Sequence, residues 1–488
     1  MAGQIIYYNT FRLQADTGGG SDYALRINKK TMEYTNTVNK VHFIGIGGIS
    51  MSALADILLA GGTSVSGSDS KESAITKELA RKGAEIFIGQ RASNISEDIS
   101  LVVYTAAIKE DNPELVRARE LDIPAKTRAD FLGELMKDYK NAICISGTHG
   151  KTTTTSLISQ IFLDAGTDPT IMVGGMLPAI GGNLKIGGKD YFITEACEYT
   201  NSFLSFFPTI EVILNVRADH LDFFKDLDDV RRSFREYARL LPEDGTLIIN
   251  GEIENLSYFT EGLKCRVITF GLGEDFDYTA KNISYNEFAC GEYDLYKNGS
   301  YICHVALSIT GEHNISNSLA ALAAADICGA GPEASAASLK AFGGVDRRFQ
   351  FLGRVKDVAV IDDYAHHPDE INATLSAALK YPHKKLWVVF QPHTYSRTKA
   401  LLDEFAVSLS AADCVILPDI YAAREKNTFE VSSKDLMEKI RALGCEAYYF
   451  PTFDEIENFL LENCTPGDLL ITMGAGDVDN IGKKLLGI

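Results

Sequence analysis

The stretch "AICISGTHGKTTTTSLISQIF", residues 142–162, restricts the possible folds more than any other. Its apolar, β-branched start reads as a buried strand, Gly147 and Gly150 open the backbone, and Thr152 onward reads as a helix. A strand that enters a helix through a glycine turn presents backbone N–H groups and the positive end of the helix dipole, which together hold phosphate oxygens. In such a cradle Lys151 reaches the terminal phosphates and the Thr152 hydroxyl faces Mg²⁺. The common P-loop carries an earlier glycine, whereas Ile145 stands five residues before Gly150. The stretch is either a shortened phosphate loop or a threonine-rich helix cap.

The downstream sequence favours the phosphate loop. "YFITEACEYTNSFL" ends a probable strand in Glu195 and Glu198, and "VILNVRADHLDFF" ends another in Asn215, Asp219, His220 and Asp222. Carboxylates and a histidine at strand ends of the same unit are placed for a metal–phosphate site. Mg²⁺ prefers oxygen ligands, so His220 suits Mn²⁺ or a second, looser Mg²⁺. Its alternative is a helix-start histidine bonded to backbone. Residues 245–310 are strand-rich, and "GEHNISNSLAALAAADICGAG" then opens a helix at His313, Asn314 and Asn317, where asparagine is either a cap or an adenine contact. Paired glycines with Arg347 and Arg348 in "FGGVDRRFQFLGRV" mark a boundary.

The same strand–turn–helix plan recurs on both sides. "VHFIGIGGISMSALADILLAGGTSVSGSDS" puts Gly45, Gly47, Gly48 and Ser50 in a turn and Asp69 at the end of a second strand. Ser50 replaces the third glycine of the dinucleotide fingerprint. A bare turn, a NAD-type site, and another nucleotide or pyrophosphate site all remain open at this point. The last third repeats the plan in "VAVIDDYAHHPDE", "LWVVFQPHTYSRT", "DCVILPDIYAAREK" and "DLLITMGAGDVDN". Its polar strand ends are expected to form a crevice in one parallel sheet. Zinc at His366–His367 is disfavoured, because the sequence offers no third ligand nearby.

A chain of 488 residues exceeds one hydrophobic core, so two to four domains are expected. The net charge of −19 repels nucleic acid and anionic lipid. Nine scattered cysteines without a C-x-x-C pair point to a reducing cytosol. No apolar run approaches membrane length, so no membrane span is expected, and the start of the sequence does not read as a signal peptide. Residues 1–40 lack sustained periodicity and are expected to be a flexible or loosely docked extension.

In order, "GIGGISMSALA", "GTHGKTTT", "EACE", "DHLD", "GEHNISN", "DDYAHHPDE" and "FQPHTYSRT" resemble the Mur ligases of peptidoglycan synthesis over about residues 41–488. The shorter G-T-x-G-K-T loop is the form that family uses for ATP. The resemblance implies an α/β chain of three domains. These are a Rossmann-like UDP-sugar domain (41–138), a central P-loop ATPase (139–345) and a Rossmann-like domain that closes over ATP (346–488). It implies that ATP, with Mg²⁺ or Mn²⁺, activates the lactyl carboxylate of UDP-N-acetylmuramate as an acyl phosphate, which L-alanine then displaces. No nucleic-acid or membrane partner is implied, and a cytoplasmic monomer or weak homodimer is expected.

By the same resemblance Gly147, Thr148, His149, Gly150, Lys151, Thr152 and Thr153 hold the ATP phosphates, and Thr152, Glu195 and His220 hold metal. Asn314 resembles the adenine contact, Arg348 the phosphate-side arginine and Asp363 the ribose carboxylate. Gly45, Gly47, Gly48, Ser50 and Asp69 resemble the UDP-sugar site, and His393 and Arg397 approach the amino acid and the reacting carboxylate. Lys151, Glu195, His220 and Arg397 are the expected catalytic set. Some members carry arginine where this chain has Thr394. Siblings that add later residues carry a modified lysine after the D-H motif, whereas "DDVRRSFREYARL" has none. A ligase that recycles a tripeptide onto the same UDP-sugar is the closest alternative. A nucleotide switch would not need a second glycine-loop domain, and a dinucleotide oxidoreductase would leave residues 142–222 without purpose.

Overall fold

Three separate sheets carry the recurring strand–turn–helix plan. The computed structural model describes residues 38–488 apart from 106, 221, 222, 274 and 424. The expected N-terminal extension as far as residue 37, and Asp222, lie outside the described residues.

The first sheet is wholly parallel, in the order Glu85–Ile88, Ser64–Asp69, Lys40–Ile44, Leu101–Tyr104 and Ala125–Thr127. Lys40–Ile44 lies in the middle, where the strand order reverses, and the chain leaves it through Gly45 into helix Ile49–Ala60. A crevice at such a reversal is where open α/β sheets bind ligands. The second sheet has ten strands, with Asn141–Ser146 between Ile210–Ile213 and Tyr191–Glu195. Its middle is parallel, while antiparallel strands close both edges, Cys290–Lys297 with Ser300–Thr310 on one side and Gly182–Lys185 on the other.

The third sheet runs Gln350–Val355, Val358–Asp363, Leu469–Met473, Leu386–Phe390, Cys414–Leu417 and Glu446–Tyr449. It departs from the expected all-parallel arrangement at its first strand, which pairs antiparallel through the tight turn at Lys356 and Asp357. Both turn residues have positive φ (48° and 64°), as a two-residue hairpin turn requires.

Central strands read as near-continuous apolar runs because both faces are covered. Ile143, Ile145, Ile193 and Val212 are fully buried, and each contributes about 1.5–3 kcal/mol. The same cover anchors the strand ends, from which the functional side chains project. The first two units share a core in which helix Arg128–Met136 packs so closely on Tyr199–Ser205 that a Cβ on Gly133 would sit 1.9 Å from the Ser205 carbonyl oxygen. All nine cysteines are free. Among the described residues no helix is long and apolar enough to cross a membrane.

Candidate active site

The loop after strand Asn141–Ser146 is held open by backbone geometry and by the neighbouring strand end. Gly150 adopts φ 87° and caps helix Lys151–Asp164, and a Cβ there would lie 2.7 Å from Asn317 Oδ1. Glycine is therefore required for both conformation and space. Asn215 clasps the loop, because His149 N–H donates to its Oδ1 (2.9 Å) and its Nδ2 donates to the His149 carbonyl (3.0 Å). The Arg217 N–H donates to Thr148 Oγ1 (2.9 Å). These bonds fix the loop so that the free N–H groups of the helix start face one open side, which is what binding an anion needs.

Lys151 folds back over this loop, donating to the carbonyls of Gly147 and Thr148 (3.0 Å) and to Glu198 Oε2 (3.0 Å). Glu198 is almost wholly buried. Burial opposes the charge on Lys151, but Glu198 outweighs it and holds the ammonium well above its ordinary range. The other Glu198 oxygen lies 4.0 Å from His220 Nε2, and the His220 ring lies against Tyr199, tilted by 33° with ring centres 4.6 Å apart. Glu198 thus joins the predicted lysine to the predicted histidine. Glu195 accepts the Gly174 N–H at 2.6 Å and adds to the negative charge that favours the Lys151 ammonium.

Two clefts meet here. One, of about 1290 Å³, lies between the second and third sheets and is lined by His149, Thr152, Asn314, Arg348, Asp363 and Glu370. The other, of about 1130 Å³, lies between helix Ile49–Ala60 and the second sheet, against Ile49, Ser52, Met176, Glu195 and Arg348. Thr152 and Arg348 line both. Asn314 is the second residue of helix His313–Ile327, not its cap; its amide donates to the Thr310 carbonyl (2.8 Å) and accepts from Asn317 (2.9 Å).

The two neighbouring arginines separate. Arg347 is pinned inside the third unit by Asp362 (3.0 Å) and the carbonyls of Gly474 (2.7 Å) and Gly476 (2.9 Å). Arg348 lies over the Tyr364 ring and comes within 3.9 Å of Glu370 Oε1. Asp363 accepts the N–H groups of Phe349 (2.7 Å) and Ala365 (2.8 Å). Burial pushes its carboxyl up to about 6, against the pull of Arg348.

From the third unit, Arg397 Nη1 lies 3.4 Å from His393 Nδ1, and Nη2 lies 3.9 Å from Asp219 Oδ1 of the central unit. Burial, His366 and Arg397 drive His393 down to about 4, so its ring is neutral at pH 7 and can accept from the guanidinium. Thr394 takes φ 66° and donates its N–H to the Tyr421 carbonyl (2.9 Å). A β-branched residue at positive φ is strained, and the strain sits beside Arg397.

In the first unit Asp69 Oδ2 accepts the Gly47 N–H (2.9 Å), and Ser68 O accepts those of Gly45 (2.8 Å) and Ile46 (3.0 Å). Asp69 therefore clasps the glycine turn from behind. Gly45, Gly47, Gly48 and Ser50 stand at the start of the helix that lines the second cleft, but the cleft wall begins at Ile49.

His366 and His367 do not act as a pair, but His367 joins a cluster that the sequence reading did not foresee. His366 turns to the Tyr364 carbonyl (3.0 Å) and Glu370 (3.2 Å), while His367 meets His149 and Asp369, a set that the sequence separates by more than 200 positions. Sequence reading also underrated Asn215 and Glu198. Their signal was present, since both stand at strand ends beside the phosphate loop.

Family models match the chain in three blocks: "Mur ligase family, catalytic domain" over residues 40–140, "Mur ligase middle domain" over 145–325 and "Mur ligase, glutamate ligase domain" over 347–476. This chain belongs to the Mur ligase family. A UDP-N-acetylmuramate–L-alanine ligase from Agathobacter rectalis is 56% identical over 446 residues, covering 91% of this chain and 97% of that protein. One from Clostridium botulinum is 50% identical, covering 94% and 100%. Among solved structures, the UDP-N-acetylmuramate-alanine ligase of Thermotoga maritima matches with a TM-score of 0.77 at 31% identity (92% and 98% covered). A murein peptide ligase from Psychrobacter arcticus matches with 0.68 at 25% identity (92% and 98%).

Proposed function

We infer that this chain is an ATP-dependent acid–amino-acid ligase of peptidoglycan synthesis that joins L-alanine to the lactyl carboxylate of UDP-N-acetylmuramate. ADP, phosphate and UDP-N-acetylmuramoyl-L-alanine are the products. The observation that carries this reading is the meeting of two clefts at Thr152 and Arg348. One cleft contains the phosphate loop, and the other opens from the glycine-turn domain. A carboxylate and a phosphate held in separate clefts can react only at such a junction. Relatives at 50–56% identity bearing the alanine-ligase name support this over the tripeptide-recycling alternative.

In this reading residues 41–138 hold the UDP-sugar through Gly45, Gly47, Gly48 and Ser50, with Asp69 fixing their turn. Residues 139–345 hold ATP, its phosphates on Gly147–Thr153 and its adenine by Asn314. Residues 346–488 close over it, bringing Asp363 to the ribose and Arg348 to the phosphates. The oxygen-rich donor set fits a hard divalent cation, so Thr152, Glu195 and His220 would hold Mg²⁺ or Mn²⁺. That ion supplies charge neutralisation between two polyanions.

The carboxylate attacks the γ-phosphorus with loss of ADP, giving an acyl phosphate. The amine of L-alanine then attacks the carbonyl carbon, and phosphate leaves. Lys151 offsets charge on the transferring phosphoryl group, since Glu198 keeps it protonated. Arg397, oriented by His393, takes the alanine carboxylate in a charge-assisted pair. The chemistry needs positioning and charge more than covalent help. Each chain carries both clefts, so a monomer or weak homodimer suffices, and the cytoplasm supplies ATP and the UDP-sugar.

The test is isotopic. With ¹⁸O in the lactyl carboxylate, one ¹⁸O per turnover should appear in released phosphate. Unlabelled phosphate, with amide formed, would rule out carboxylate activation by phosphoryl transfer.

A further inference from the structure

At the phosphate loop lies a cluster of which the ligase reading uses only His149, as part of that loop. His149 comes from the central unit, and His367 and Asp369 come from the start of helix Pro368–Lys380 in the third unit. One ligand atom from each lies within 4.8 Å of the others. His149 Nε2 is 3.8 Å from Asp369 Oδ2, and His367 Nδ1 is 4.0 Å from the same carboxylate. The two rings are 5.3 Å apart, tilted by 38°.

Three further features suit a soft or borderline cation. The Nε2 atom of His149 is buried without a hydrogen bond. Against the effect of burial, Asp369 and Glu370 on either side of the ring raise it to about 9, so a metal ion takes the place of the Nε2 proton on binding. Its other nitrogen, Nδ1, faces Glu370 Oε1 at 3.4 Å. A carboxylate behind a ring N–H is the usual support for a metal-bound histidine, since it fixes the tautomer. Glu370 is itself held by the His366 backbone N–H (3.1 Å). Two imidazoles and one carboxylate are a zinc-type donor set, with room for water as fourth ligand. Tetrahedral zinc asks for ligand atoms about 3.3–3.5 Å apart. The contraction from the present spacing is within reach of side-chain rotation and a small approach of the two units.

We propose that His149, His367 and Asp369 form a binding site for a divalent transition-metal ion of the zinc class, assembled when the third unit closes on the phosphate loop. Occupancy ties the helix start Pro368–Asp369 to the loop residue His149 and so holds the two units together. The site is distinct from Thr152, Glu195 and His220, and it does not depend on which substrates the clefts take. Because the bound ion shares the phosphate loop, zinc and nucleotide exchange compete.

Co²⁺ serves as the optical probe, titrated into the reduced full-length chain with millimolar Mg²⁺ present to occupy oxygen-rich sites. The expected result is one visible d–d band at one Co²⁺ per chain, without the thiolate charge-transfer band that cysteine ligation would give, and displaced by one equivalent of Zn²⁺. His367→Ala and the milder Asp369→Asn should each weaken binding at least about 10-fold. Asp369 is more than half exposed, so its variant leaves packing intact. Absence of a stoichiometric band, a thiolate band in its place, or unchanged binding in Asp369→Asn would each overturn the site.

Discussion

Replacing Lys151 by methionine separates what this residue does for the fold from what it does for the reaction. Its ammonium pairs with Glu198 at 3.0 Å, and the two side chains are 15% and 2% exposed. Methionine conserves the stem but leaves the Glu198 carboxylate buried, with His220 Nε2 at 4.0 Å as its remaining partner. Breaking a buried pair from one side costs about 3–5 kcal/mol. The nearby imidazole and the residual exposure of Lys151 place this case near the lower end, about 3 kcal/mol. At about 2–4 °C per kcal/mol, the melting transition of the central unit should fall by about 6–12 °C. In the double variant Lys151→Met/Glu198→Gln no charge is left unpaired, so most of that loss should return. ADP release should stay about 100- to 1000-fold below normal in both. Calorimetric melting together with ADP release reads the two effects separately. A Lys151→Met protein as stable as the parent, or a double variant no more stable than the single one, would refute the buried-pair reasoning.

Three further outcomes are expected. Gly150→Ala puts a side chain at φ 87° and a Cβ 2.7 Å from Asn317 Oδ1. The backbone term alone is about 1–2 kcal/mol, so KM for ATP should rise about 10-fold or more while UDP-sugar affinity, read by calorimetry, holds. His393 has a folded-state pKa of about 4, below its ordinary 6.5, so its stabilising contribution is complete above about pH 6.5 and is lost as pH falls toward 4. The loss is about 3 kcal/mol at most, and the His393 ring resonance should titrate near 4; a midpoint near 6.5 would contradict its burial beside Arg397. Arg397→Lys keeps the charge but loses the planar fork, so KM for L-alanine should rise about 10-fold or more with KM for ATP nearly unchanged.

Residues that act through their own backbone or immediate neighbours were legible in the sequence. Gly147, Gly150 and Lys151 announce a phosphate loop because strand, turn and helix are contiguous. The recurring apolar strands gave three α/β units for the same reason. What could not be read depends on contacts between distant segments. Nothing in "DYAHHPDE" says that His367 meets His149 rather than His366, since closure of the third unit decides it. That Asp69 accepts the Gly47 N–H is likewise a contact between a strand end and a turn that the sequence keeps 22 residues apart. The antiparallel strand Gln350–Val355 was masked by the basic residues that flank its start. Arg347 and Arg348, adjacent in sequence, point to different partners because Arg347 alone can reach the carbonyls of Gly474 and Gly476.

The central claim is most directly tested by ADP release from the purified chain with Mg-ATP and UDP-N-acetylmuramate, adding L-alanine, glycine, L-serine or the L-alanyl-γ-D-glutamyl tripeptide in turn. Strong stimulation by L-alanine, weak by glycine and L-serine, and none by the tripeptide is the expected pattern, and omission of the UDP-sugar should abolish it. Turnover that ignores the UDP-sugar, or that responds to the tripeptide and not to L-alanine, would contradict it.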